Sequence, residues 1–248
     1  MPRTSINVAP LNTRAGIVIG ATSGGEVNGD PANNHFIAGN DGKIILHARN
    51  TAGTTVVTIR PVTGPGGFTF PNETVSVGAS ADKLIGPFPV SMFGDTVNID
   101  VDTANVRLRA YQISGPAPSR SPVPPTPVAA GSRVQLPLWT VSRAGLDITA
   151  GTNEVTGDAA NDHYCANDGN VIVLARATSV DVAYNPVAAF AMDGQAVADY
   201  VAICTIAAPV ELAGPYPWPW YTQPDGNVYL NVASNTIRLR ALWVPFAE

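Results

Sequence analysis

The chain has 248 residues, of which 45% are hydrophobic and only 13% charged, with a formal net charge of −5. That length suits two small domains better than one. An acidic, weakly charged surface repels phosphate backbones, so no nucleic-acid partner is expected. No apolar run reaches the ~20 residues of a membrane span, and the N-terminus lacks a signal-like apolar core, so the sequence reads as soluble and made without secretion. The 23 Gly and 22 Pro leave no room for long helices, and abundant Val, Ile and Thr favour pleated sheet, so the expected fold class is all-β.

In chain order, residues 1–13 read as an N-terminal arm, and deletion of residues 1–9 is expected to leave the fold intact. Strands are expected near 16–19, 43–49, 55–60, 74–77, 96–101 and 106–113, separated by turn signals. The block Gly29-Asp30-Pro31-Ala32-Asn33-Asn34-His35 reads as a turn with a satisfied histidine. A calcium loop from Asp30, Asn33 and Asn34 is the alternative, but EF-hand spacing is missing. Asn40-Asp41-Gly42 suits a tight turn before an apolar strand. Gly86-Pro87-Phe88-Pro89 should hold its ring in a fixed direction, either capping the core or offering a contact surface. Val106-Arg107-Leu108-Arg109-Ala110 alternates, which puts Arg107 and Arg109 on one sheet face, solvated or paired with a partner's acidic groups.

These blocks then recur in the same order. Arg14-Ala15-Gly16-Ile17 is matched by Arg143-Ala144-Gly145-Leu146, Glu26-Val27 by Glu154-Val155, and the histidine block by Gly157–His163. Asn40-Asp41-Gly42 is matched by Asn167-Asp168-Gly169, the Gly-Pro-aromatic-Pro block by Gly214-Pro215-Tyr216-Pro217, and the arginine pair by Arg238 and Arg240. Only Pro10-Leu11 of the arm finds an echo, in Pro137-Leu138. The reading is two homologous β-sandwich or jelly-roll-like domains in tandem, 14–114 and 133–248, joined by a proline-rich linker over 115–132. The second aromatic block extends to Trp218, Trp220 and Tyr221. Together with Phe88, Tyr216, Arg107, Arg109, Arg238 and Arg240, these form the candidate interface. Cys165 and Cys204 occur in one half only, which argues against a shared disulfide framework and for buried thiols.

No nucleophile elbow, P-loop or zinc-protease motif occurs, and the histidines lack partners at metal-ligand spacing. An enzyme, a metal centre and a cofactor are not expected. The Asn-Asp-Gly turn at 40–42, the strand ending Ala48-Arg49-Asn50-Thr51 and Gly86-Pro87-Phe88-Pro89 together resemble small β-sandwich proteins of tailed-bacteriophage virions, most of all capsid decoration (cement) proteins. The chain departs from them in carrying two copies, and Ala177-Thr178 stands where Asn-Thr would follow Arg176. The resemblance implies synthesis in the host cytoplasm, a place on the capsid surface, and the major capsid protein or other virion proteins as partners; separately, the low charge content would suit a homo-oligomer such as a tail-tube component. It carries over no individual binding residue. The rival expectation is a carbohydrate- or receptor-binding tail or head-fibre protein, on the strength of the aromatic run at 218–221.

Overall fold

The computed structural model describes residues 2–11, 17–20, 24–63, 69–113, 126, 130–189, 191–192, 195–196, 199, 201–216 and 221–245. The fold is all-β. The first half of the chain supplies β1 (Thr4–Ser5), β2 (Val8–Leu11), β3 (Ile17–Val18), β4 (Val27–Asn28), β5 (His35–Ala38), β6 (Ile44–Asn50), β7 (Thr55–Arg60), β8 (Glu73–Val77) and β9 (Asp82–Ile85). A single helical turn, α1 (Val90–Phe93), then precedes β10 (Thr96–Val101) and β11 (Val106–Ile113). The second half begins with β12 (Val134–Gln135), β13 (Leu138–Thr140), β14 (Leu146–Asp147), β15 (Val155–Thr156), β16 (His163–Ala166), β17 (Val171–Ala177) and β18 (Val182–Pro186). It continues with β19 (Ala191–Met192), β20 (Gln195–Ala196), β21 (Ala202–Cys204), β22 (Val210–Ala213), β23 (Asn227–Val232) and β24 (Ile237–Trp243).

Two sheets of the first half, β1-β5-β10-β7-β8 and a six-stranded one centred on β9-β6-β11-β2, enclose a core that includes Ile6, Ile37, Leu46, Ile59, Phe88, Phe93, Ile99 and Leu108. The second half repeats both strand orders as β12-β16-β23-β18-β21 and β13-β24-β17-β22, around Leu136, Cys165, Val173, Tyr184, Tyr216, Leu230 and Leu239. Every strand expected from the first half is present, within a residue or two at each end.

The supposed arm is not free. β1 runs parallel to β5 and β2 parallel to β11, so this stretch crosses from one sheet to the other and buries Ile6 and Leu11 on the way. Removing it would take a strand from each sheet. The second half uses 133–141 in the same manner: Val8 lies opposite Ala110, and Leu138 opposite the matching Ala241. Leu11 therefore corresponds to Val141, and the sequence echo between Pro10-Leu11 and Pro137-Leu138 is out of register by three residues. Most of the linker read over 115–132 lies outside the described residues; Ala130, near its end, is buried.

The halves also exchange strands. β3, from the first half, pairs antiparallel with β22 (Ile17 opposite Leu212), and β14, from the second, pairs with β9 (Leu146 opposite Leu84). Each six-stranded sheet is thus completed by the other half. Their outer faces meet in a third apolar layer that includes Leu11, Ile45, Leu84, Tyr111, Ile148, Leu174, Leu212 and Leu242. The result is a stack of four sheets. It explains why Ile44–Leu46 and Val171–Leu174 are buried at consecutive positions: both faces of β6 and β17 are covered, as in the middle of any multilayer fold.

Candidate functional site

The two histidine blocks are built alike. Asp30 Oδ1 accepts the backbone N–H groups of Ala32 and Asn33, and Oδ2 accepts the Asn33 amide, which closes an Asx-type turn. Asp158 repeats all three bonds with Ala160 and Asn161. Hydrogen bonds from Asn33 and Asn161 hold the two carboxyls below the usual aspartate range. His35 and His163, fully buried, use Nε2 to accept the backbone N–H of Asp30 and Asp158, at 2.9 Å each. Burial pushes both imidazoles below the ordinary histidine value. The Asp30 oxygens weighed for calcium are committed to the turn, and no group of three metal-ligating side chains occurs among the described residues. Gly29 and Gly157 open these blocks because a Cβ would lie 2.6 Å from the Thr103 carbonyl oxygen in one and 2.5 Å from Ile237 Cγ2 in the other.

The described rings of the aromatic blocks face inward. Phe88 and Tyr216 have no exposed surface, and each meets a second ring edge-on: Phe93 at 5.7 Å and Tyr221, itself buried, at 5.9 Å. Asn40 and Asn167, from the Asn-Asp-Gly turns, clamp these segments by donating their side-chain amides to the Phe88 and Tyr216 carbonyls at 3.0 and 2.8 Å. Phe88, Tyr216 and Tyr221 therefore serve the core and are withdrawn as contact residues; Trp218 and Trp220 lie outside the described residues.

The arginine pairs lie on the face of β11 and β24 that runs into the seam between the halves. Arg107 donates weakly to the Ala104 carbonyl at 3.4 Å. Arg109 donates to the Gly24 carbonyl at 2.7 Å and stacks 5.2 Å above the Tyr111 ring. Arg240 is fully buried. It donates to the Asp147 and Thr152 carbonyls and lies 5.0 Å over Trp139. Arg238, half-buried, sits opposite Arg176 in the ladder. Nearby, Glu26 pairs with Arg49, and Glu154 with Arg176 at 2.7 Å. Arg240 is too enclosed to contact a partner.

Sequence reading missed the polar group in the seam. His47, 1% exposed, places Nε2 3.0 Å from Asp82 Oδ1. The pair borders a small open cleft shared with Ile19, Gly20, Ile148, Arg176 and Val210. In the ladder of the second half the matching positions are Leu174 and Val210. The exchange of a polar pair for an apolar one lies in the sequence, but its meaning depends on both pairs facing the same seam.

No family model, no curated protein and no solved structure matches the chain.

Proposed function

We propose that the chain is a non-enzymatic virion structural protein of a tailed bacteriophage, acting as a decoration (cement) protein on the outer surface of the capsid. The observation that carries this reading is the reciprocal strand exchange, β3 onto β22 and β14 onto β9, backed by a shared apolar layer. It welds two similar sandwiches into one stiff body whose two outermost sheets face away from each other. Such a body suits bridging between neighbouring subunits of a lattice: a second contact made by a rigid, already attached molecule gains from high effective concentration. The side chains with chemical potential, His35, His163, Arg240 and the His47–Asp82 pair, are all engaged in holding turns and the seam.

The test uses heads assembled from the same phage's major capsid protein without this chain. Adding the purified chain should give saturable binding at a fixed ratio to capsid subunits and raise the temperature at which the heads rupture. Heads that bind none of it refute the proposal. Saturable binding to glycans or host-cell envelopes, with none to heads, would transfer the protein to the receptor-binding class.

A further inference from the structure

Among the described residues five large apolar side chains are exposed, and four of them gather at one place: Val180, Val201, Ile203 and Ile206, at 48%, 51%, 55% and 51%. Val201 precedes β21 and Ile203 lies within it, two residues on, so they share a face while Ala202 and Cys204 point into the core. Val180, in the turn before β18, and Ile206, just after β21, sit at the strand's C-terminal end, where Asp181 Oδ1 accepts the Ile206 N–H at 2.7 Å. β21 closes its sheet: β18 pairs with one side, and no described strand pairs with the other.

The first half provides an internal control. β8 is the matching edge strand, with Val77 opposite Thr55 as Cys204 is opposite Val182. By that register Thr74 and Ser76 stand where the second half has Val201 and Ile203, and Gly53 stands for Val180. All three are exposed. The same strand in the same fold is therefore stable with polar residues facing water, and the apolar set is not required for folding. An exposed apolar edge strand is ordinarily a hazard that proteins suppress with charge or short polar strands.

We propose that β21 is a docking edge that accepts, as an added strand, an extended segment of another protein carrying apolar side chains at alternate positions and Lys or Arg at both ends. Backbone groups would supply affinity, and Val201 and Ile203 would select the side chains. The charges come from Asp181 and Asp199, both exposed, which bracket the strand; Asp199 is fixed beyond its N-terminal end by accepting the Ala188 N–H at 2.9 Å. The same bracket opposes a second copy of this chain: antiparallel pairing of β21 with itself would bring Asp181 of each molecule towards Asp199 of the other. A basic-ended strand turns that repulsion into attraction. This inference extends beyond capsid attachment and does not depend on it, since the probe is a peptide rather than a particle.

The experiment titrates the full chain with a synthetic peptide, Lys-Val-Thr-Val-Thr-Val-Lys, and with its counterpart ending in Glu, by isothermal calorimetry at low and at physiological salt. The Lys-ended peptide should bind, more weakly as salt rises, and the Glu-ended peptide should bind at least about tenfold less tightly. Val201→Thr with Ile203→Ser, the residues of the first half, should weaken binding about tenfold or more. Asp181→Asn with Asp199→Asn, which keeps both carbonyl acceptors, should abolish the salt dependence. Unchanged thermal unfolding of both variants shows that the fold is intact. No binding of the Lys-ended peptide at about 1 mM overturns the proposal, as does equal binding by the Val201→Thr/Ile203→Ser variant. A wild-type dimer that dissociates in that variant assigns the edge to a second copy instead and equally overturns it.

Discussion

The His47–Asp82 pair offers a double-mutant cycle in which the protein itself supplies the design, because the matching positions in the second half are Leu174 and Val210. Asp82→Val alone leaves the His47 Nε2 without its partner in a residue that is 1% exposed, and its Nδ1 has no hydrogen bond already. Stranding a buried polar group costs about 1–3 kcal/mol. His47→Leu alone strands Asp82, whose side chain keeps 26% exposure and so retains water; the expected cost is about 1 kcal/mol or less. Replacing both puts an apolar pair into the seam layer beside Ile148 and Val210, and the double variant should lie within about 1 kcal/mol of wild type. Equilibrium urea unfolding of the four proteins at neutral pH measures the coupling, expected at about 1–3 kcal/mol. A coupling below about 0.3 kcal/mol, with the double variant as unstable as the two single losses combined, would refute the reasoning that the seam treats the pair as one unit.

Other expectations follow from the same geometry. His35 and His163 have folded pKa values below the unfolded value, so below about pH 6.5 the unfolded chain binds more protons and stability falls as pH drops towards the folded values. The slope should approach about 1.4 kcal/mol per pH unit for each histidine in that window, and a urea midpoint unchanged between pH 7 and pH 5 would contradict it. Glu211, buried on β22 with the Tyr184 hydroxyl at 3.4 Å, has its carboxyl pushed up by burial. Its contribution is therefore full below the unfolded value and is lost as pH rises through the folded one, so Glu211→Gln should raise the melting temperature at neutral pH and flatten that loss. Gly145, at φ +83° ahead of the exchanged strand β14, leaves no room for a side chain: a Cβ would stand 2.7 Å from Val75 Cγ1 in the other half. Gly145→Ala should cost about 2–4 kcal/mol by chemical denaturation, and a neutral effect would argue that β14 does not dock on β9 in solution.

The residue pattern settled the class of fold and most strands of the first half. Period-two alternation in 96–101 and 106–113 is carried by each strand's own residues, and the Asn40-Asp41-Gly42 turn closes on itself, with Asn40 Oδ1 accepting the Gly42 N–H. The strand of His35–Ala38 carries no such signal, because only four residues separate the Asx turn from Gly39, too few to show a period. Alternation also says that Arg107 and Arg109 share a face, but not what covers that face. Only the packing of one six-stranded sheet against the other turned it into the edge of a seam, with Arg240, their counterpart, enclosed. The aromatic blocks show the same limit in reverse: the neighbouring Phe93 and Tyr221 rings lie five residues on in the sequence, while burial of Phe88 and Tyr216 also depends on the surrounding sheets and on Asn40 and Asn167, 48 and 49 positions away. Sequence by itself determined an all-β chain with a repeated order of blocks. Tertiary structure alone decided that each half lends a strand to the other, because pairing between β3 and β22, or between β14 and β9, joins residues more than sixty positions apart and leaves no mark on either strand's own pattern.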